Sequence, residues 1–215
     1  CERNQRLIRD IAENPEKYFK TTQVDIVLFP EGLENNPDNF IEVPVIKGPV
    51  PTMIRETLNY LRINVVKERI QKPEDDERSI KVFNYPYQAL EEAVVNALYH
   101  RDYMQREPVE ITVEPDKISI LSYSGPDRSI SMEDINEAKA LRSRRYRNRR
   151  LGDFLKELNL TEGRATGIPT IQKKLRENGS PKAMIKTDEA RTFFLIIIPC
   201  RKDFVQVDEK VQNTD

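Results

Sequence analysis

The clearest hydrophobic periodicity in the chain lies at 84–103, NYPYQALEEAVVNALYHRDY. Proline biases its predecessor away from helix, so Tyr85-Pro86 marks an extended approach, and a helix is expected from about Tyr87 to Arg101. At 100° per residue, Leu90, Ala93, Val94, Ala97 and Leu98 cover one broad arc, and Val95 and Tyr99 carry it further round. The main polar interruption is a narrow stripe, Glu92, Asn96 and His100, spaced i, i+4, i+8. A helix apolar on most sides is a buried one, and a buried carboxylate, amide and imidazole each need partners. The stripe is therefore expected to border a cavity or a ligand. A carboxylate one turn before a carboxamide can hold a water and a divalent ion against a bound polyphosphate, because the amide oxygen is a hard ligand for magnesium. The plainer alternative has Glu92 capping a neighbouring backbone and Asn96 bonding across to a loop.

Around this helix the pattern predicts a small leading unit and a larger second one. Residues 2–12 have weak helical character. Residues 24–29 (VDIVLF) read as a strand, 30–39 as a loop, and 40–46 as a partner strand. Gly48-Pro49-Val50-Pro51 opens a helix whose Ile54, Leu58 and Leu61 form one face running to about Arg62, and strand character resumes at 63–70. The charged stretch 72–78 (KPEDDER) is either a boundary or a long hairpin tip. The expected division is 1–75, 76–200 and a tail at 201–215. In the second unit, 109–114 and 117–122 form a tight hairpin joined at Pro115-Asp116. Residues 122–130 are a polar loop, and 132–140 a short helix with Ser131 as cap and Asp134 at its third position. An amphipathic helix follows with Leu151, Phe154, Leu155 and Leu158 inward. Another starts near Pro169 and ends at Gly179-Ser180-Pro181, and strands at 183–187 and 192–199 close the unit.

Composition narrows the class. The chain has 215 residues, 38% hydrophobic and 33% charged, with a formal net charge of −1. That balance argues against a uniformly basic nucleic-acid binder but leaves room for a local patch. No apolar run approaches the roughly 20 residues that cross a bilayer, so no membrane partner is expected. The two cysteines, Cys1 and Cys200, form no disulfide framework, and a reducing, cytoplasmic setting is expected. Because the chain opens on Cys1 rather than Met, it is expected to be part of a longer or processed protein.

Four stretches carry candidate chemistry. The Glu92/Asn96/His100 stripe continues into Arg101-Asp102-Tyr103. With one histidine in the chain, multi-histidine metal sites are excluded. The string His-Arg-Asp fails as a protein-kinase signature, having no Gly-rich loop before it and no Asp-Phe-Gly after it. Ser124-Gly125-Pro126 either lets a ligand approach the backbone or is simply a turn. Gly163-Arg164-Ala165-Thr166-Gly167 enters a proline-started helix, so free N–H groups there would face an anion, with Arg164 and Thr166 as further donors; a plain helix connection is the equal alternative. Residues 142–150 (RSRRYRNRR) hold six arginines in nine positions: Arg142, Arg144, Arg145, Arg147, Arg149 and Arg150. They suit phosphate contact, with a nucleotide or a nucleic-acid backbone.

Together these residues resemble a known pattern. Ala89 to Ala97 with His100-Arg101-Asp102-Tyr103, then Ser124-Gly125-Pro126, Tyr146-Arg147-Asn148 and Gly163 to Pro169, are similar to the C-terminal GHKL-like ATPase module of bacterial ATP-dependent DNA helicase-related proteins and transcriptional regulators. The leading segment resembles the tail of a Schlafen/AlbA-type DNA-binding domain, its remainder lying before Cys1. The resemblance implies an α+β fold, a two-layer sandwich of the histidine-kinase and gyrase type preceded by a small α+β segment. It implies ATP and Mg2+ as cofactors, with Glu92 as the general base and Asn96 as the metal ligand. It also implies nucleotide contacts from Asn96, His100, Arg101, Asp102, Ser124, Gly125, Gly163, Arg164, Thr166 and Gly167. DNA, through the arginines or the missing domain, and a second copy of the chain are the implied macromolecular partners. GHKL enzymes hold the adenine amine with an aspartate in an Asp-x-Gly-x-Gly loop, whereas here the strand end reads Ser122-Tyr123-Ser124-Gly125-Pro126. The implied function is thus a nucleotide-binding module with weak ATPase activity at most; the alternative is a degenerate scaffold for dimerisation or DNA contact without turnover. No Gly-x-x-x-x-Gly-Lys-Ser/Thr loop is present for a helicase motor.

Overall fold

The structure, a computed structural model, describes residues 15–72, 79–139, 141, 146–160 and 167–205. The helical character expected at 2–12 and the tail at 206–215 lie outside these residues. The strands are β1 (Gln23–Leu28), β2 (Ile41–Glu42), β3 (Ile46–Lys47), β4 (Glu68–Gln71), β5 (Ile80–Phe83), β6 (Val109–Val113), β7 (Lys117–Tyr123), β8 (Met184–Lys186) and β9 (Phe193–Pro199). The helices are α1 (Val50–Asn64), α2 (Tyr87–His100), α3 (Met132–Asn136), α4 (Arg149–Glu157) and α5 (Gly167–Glu177).

The main sheet runs β2-β1-β6-β7-β9-β8, with β3 also on β1. Among the described residues only β1 and β6 pair in parallel. Burial alternates along β6 and β7, so one face of the sheet is covered and the other half-open. The covered face carries a cross-strand row of isoleucines, Ile26, Ile111, Ile120, Ile196 and Ile185, each directly opposite the next. All five are at most 3% exposed, and each contributes about 1.5–3 kcal/mol by burial. Helices α1 and α2 pack side by side over this face, and α5 packs on α2. The arrangement is the expected two-layer α+β sandwich.

The sheet crosses the expected division at residue 75, because β1 of the leading segment pairs along its length with β6. On either side of the stretch 72–78, β4 and β5 pair antiparallel. Residues 73–78 themselves lie outside the described ones. Three local expectations are corrected. The partner strand at 40–46 is split into β2 and β3 around Val43-Pro44, since proline has no N–H to give a ladder. Helix α1 runs on to Asn64, and strand pairing starts only at Glu68. In α4, Leu155 is buried, but Phe154 is 49% and Leu158 36% exposed, so two of the four residues expected inward face outward. Ser131 caps α3 as expected, its Oγ accepting from Asp134 N at 3.0 Å, although the helix stops at Asn136.

Candidate functional site

The site begins where the isoleucine row stops. On β7 the inward positions read Ile118, Ile120, Ser122, and Ser122 stands opposite Phe194 of β9. Ser122 is 3% exposed, a polar group at a position that the alternation reserves for a core residue. It and Phe194 line one side of a cavity of about 390 Å3, within the range of small-molecule sites. Helix α2 supplies Asn96 and His100 to this cavity, the loop after β7 supplies Ser124, Gly125, Pro126, Asp127 and Ile130, and Tyr146, Arg147, Gly167 and Ile168 complete it with Leu141.

Asn96 and Glu92 are both half-buried, and the Asn96 amide donates to Glu92 Oε1 at 3.4 Å. Asn96 lines the cavity; Glu92 is not among its lining residues. The first residue of α5 explains the difference. A Cβ built on Gly167 would stand 2.7 Å from Glu92 Oε1 and would also collide with the Asn96 amide, so any side chain there would push both groups from their present positions. Glu92 thus lies beside the N-terminus of α5, whose positive dipole end favours a carboxylate. Gly125 plays a comparable part, since a Cβ there would fall 2.7 Å from Phe193 O and 2.8 Å from Arg191 O. The loop glycine is needed for close packing of the backbone on β9, besides facing the cavity.

The C-terminal end of α2 is held by side chains from far along the chain. The last carbonyls of a helix have no partner within it. Asn148 Nδ2 donates to Tyr99 O at 2.8 Å and to Arg101 O at 2.7 Å, and Arg147 Nη1 donates to His100 O at 2.6 Å. The Tyr99 phenol lies against Gly152 of α4 so closely that a Cβ there would collide with it. His100 lines the cavity at the exposed end of α2, and desolvation by the protein packed around its ring, with Arg147 close by, lowers its pKa from 6.5 to about 4. The imidazole is therefore neutral at pH 7.

The expected nucleotide-contact residues do not all converge. Arg101 is outside the cavity lining: it is 1% exposed, donates to Thr21 O at 3.1 Å and Glu107 O at 2.8 Å, and lies over the Tyr103 ring at 4.9 Å. It is a buried cation satisfied by carbonyls, joining the leading segment to the second unit. Asp102 is also outside the cavity lining; its Oδ1 accepts from Met104 N at 2.9 Å in a local turn. Arg147, grouped with the arginine cluster by sequence, instead faces the cavity. Arg149 and Arg150 are exposed at the start of α4. Gly163, Arg164, Thr166, Arg142, Arg144 and Arg145 lie outside the described residues. Asp127 is the residue that the sequence pattern did not single out: it is half-buried in the cavity wall, its Oδ1 accepting from Ser129 N at 2.9 Å. The alternation of β7, which turns Ser122 inward and so directs the next loop over the same face, was the available signal.

No cluster of three or more His, Cys, Asp or Glu able to hold a metal occurs among the described residues. A Mg2+ ion held mainly by phosphates and water needs only one or two protein ligands, so Asn96 fits such an ion. With its amide nitrogen donating to Glu92, its Oδ1 is the atom placed to ligate.

Residues 107–198 match the family model described as "Putative ATP-dependent DNA helicase recG C-terminal". These residues carry a GHKL-like, ATPase-type module. The match takes in β6 to β9, the loop with Ser124 to Asp127, and Tyr146 to Gly167, while Asn96 and His100 lie before it. Among solved structures, the chain is similar to the DIP2311 protein from Corynebacterium diphtheriae, with a TM-score of 0.67 at 18% identity. That alignment covers 85% of this chain and 36% of the other, so the shared fold is a part of a longer protein there. No curated protein matches. Among the described residues no helix is long and apolar enough to cross a membrane.

Proposed function

We propose that the cavity binds a nucleotide, ATP with Mg2+, and that the chain is the nucleotide-binding module of a bacterial DNA-binding regulator or helicase-related protein. The observation that carries this reading is the cavity itself, with Asn96 at one side and the Ser124–Asp127 loop at the other, both facing one hollow of about 390 Å3. Asn96 would hold the metal ion through its amide oxygen. The ion, when bound, would neutralise phosphate charge. The Asp127 carboxylate is an acceptor suited to an exocyclic amine, the role for which the strand end itself offers no aspartate. Arg149 and Arg150 support contact with a polyanion: cations at a helix N-terminus oppose the macrodipole, and a bound phosphate backbone would offset that cost.

Binding without turnover is favoured over hydrolysis by one contact. Glu92, the expected general base, is not among the residues lining the cavity and has the start of α5 close against its carboxylate, so a water placed for activation would need room there.

Calorimetric titration with ATP, with and without Mg2+, tests the reading. The wild-type chain is expected to bind in a Mg2+-dependent way, and Asn96→Ala to bind about tenfold more weakly, the equivalent of roughly 1.4 kcal/mol. Glu92→Gln should keep binding and abolish any hydrolysis. Equal affinities for wild type and Asn96→Ala would remove the metal role, and no heat in either would remove the nucleotide.

A further inference from the structure

We propose that Tyr146 is the platform on which the planar base of the bound nucleotide stacks, an assignment that rests on the nucleotide reading above. Tyr146 is half-buried and lines the cavity. Its ring is backed by two others. It lies nearly parallel to Tyr99, with centroids 6.2 Å apart and planes at 7°, and at 26° to His100 with centroids 6.3 Å apart. Tyr99 and His100 are themselves 4.3 Å apart.

This aromatic group is rigid for reasons outside the rings. Gly152 of α4 packs directly against the Tyr99 ring, and the Arg147 and Asn148 bonds to α2 tie down the chain directly after Tyr146. A surface held in place before binding adds its full stacking contribution without an ordering cost. Its character suits a base rather than a phosphate. His100 is uncharged at neutral pH, and Ile130, Leu141, Ile168 and Phe194 add apolar wall to the same cavity. Asp127 and Ser124 present polar groups to the edge of a ring that the apolar walls enclose. Base-on-aromatic stacking tolerates any base, so Tyr146 sets the class of ligand, a planar heteroaromatic ring, and the polar edge sets which one.

Two variants titrated with ATP and with adenosine test this. Tyr146→Phe is expected to match wild type within about twofold, and Tyr146→Leu to bind both ligands about tenfold more weakly. The chain contains no tryptophan, so Tyr146→Trp places a single indole at the site. Its emission is expected to fall on adding adenosine or ATP and to stay constant with inorganic tripolyphosphate, which has no base; this readout stands even if the leucine variant fails to fold. Unchanged affinity in a folded Tyr146→Leu overturns the assignment while leaving the nucleotide reading intact. So does constant indole emission at concentrations where ATP binding gives heat, or equal quenching by tripolyphosphate. If wild type binds neither ATP nor adenosine, both readings fall.

Discussion

His100 stands at the last position of α2 with its ring in the cavity, and its proton affinity is a direct product of that place. The unfolded chain holds the proton near pH 6.5; in the folded chain burial and Arg147 bring the pKa to about 4. Between those values the unfolded state binds more protons, so the stability tied to this group is fully present above pH 6.5 and is lost as the pH falls toward 4. We therefore expect acidification across that window to lower the melting temperature less in His100→Gln than in wild type, by thermal denaturation monitored with circular dichroism. Parallel losses in the two proteins would assign the acid sensitivity to carboxylates. The two glycines that looked like ligand-approach positions teach a related lesson. Gly125 and Gly167 both sit against protein atoms, the backbone of Arg191 and Phe193 in one case, which leaves no room for a side chain, and the side-chain ends of Glu92 and Asn96 in the other, which would have to move. Sequence can show that a residue without a side chain is needed; it does not show which neighbour needs the space.

Between elements, the decisive union is that of α2 with the segment 146–152. The periodicity of 87–100 identified α2 and its polar stripe, because those features are local. The capping of its last carbonyls by Asn148 and Arg147 joins positions 47 to 49 residues apart, and no local pattern announces it. Asn148→Ala removes two hydrogen bonds at once and leaves the carbonyls of Tyr99 and Arg101 without their donor. The expected cost is about 2 kcal/mol, a fall of about 4–8 °C in melting temperature. A melting temperature unchanged within a degree would mean that water replaces the amide at no cost in stability. The amphipathic pattern of α4 misled in the opposite direction. Its spacing suggested four apolar residues inward, but a short helix that leans on Tyr99 through Gly152 has room to bury only Leu155 completely.

Across the whole molecule, β1 beside β6 and the buried Arg101 bonded to Thr21 unite the leading segment with the second unit. The hairpin β4–β5 is likewise anchored, Arg69 donating to Asp203 O and Gln71 to Asp203 Oδ2, each at 2.7 Å. A domain division read from a charged stretch is blind to such pairings. Charge, too, is a property of the whole. The net charge of −1 gives the molecule no general attraction to DNA, so the proposed contact depends on local arginines. Replacing Arg149 and Arg150 with alanine is expected to flatten the plot of log affinity against log salt by about 0.9 for each phosphate no longer neutralised, measured by fluorescence anisotropy with duplex DNA. An unchanged slope would return both arginines to a solvated surface role.

What depends on near neighbours was legible in the order of residues: individual strands and helices from their alternating and helical periods, the span of α2, the Ser131 cap, and the stripe holding Asn96, whereas the two-layer α+β class came from the resemblance to a known family. Which groups share the hollow was settled only by folding. It brought Asp127 and Tyr146 to Asn96, took Arg101 and Asp102 out, and set Gly167 over Glu92. Periodicity records which face of an element is buried, whereas the composition of a site depends on contacts between elements that the chain connects only after tens of residues.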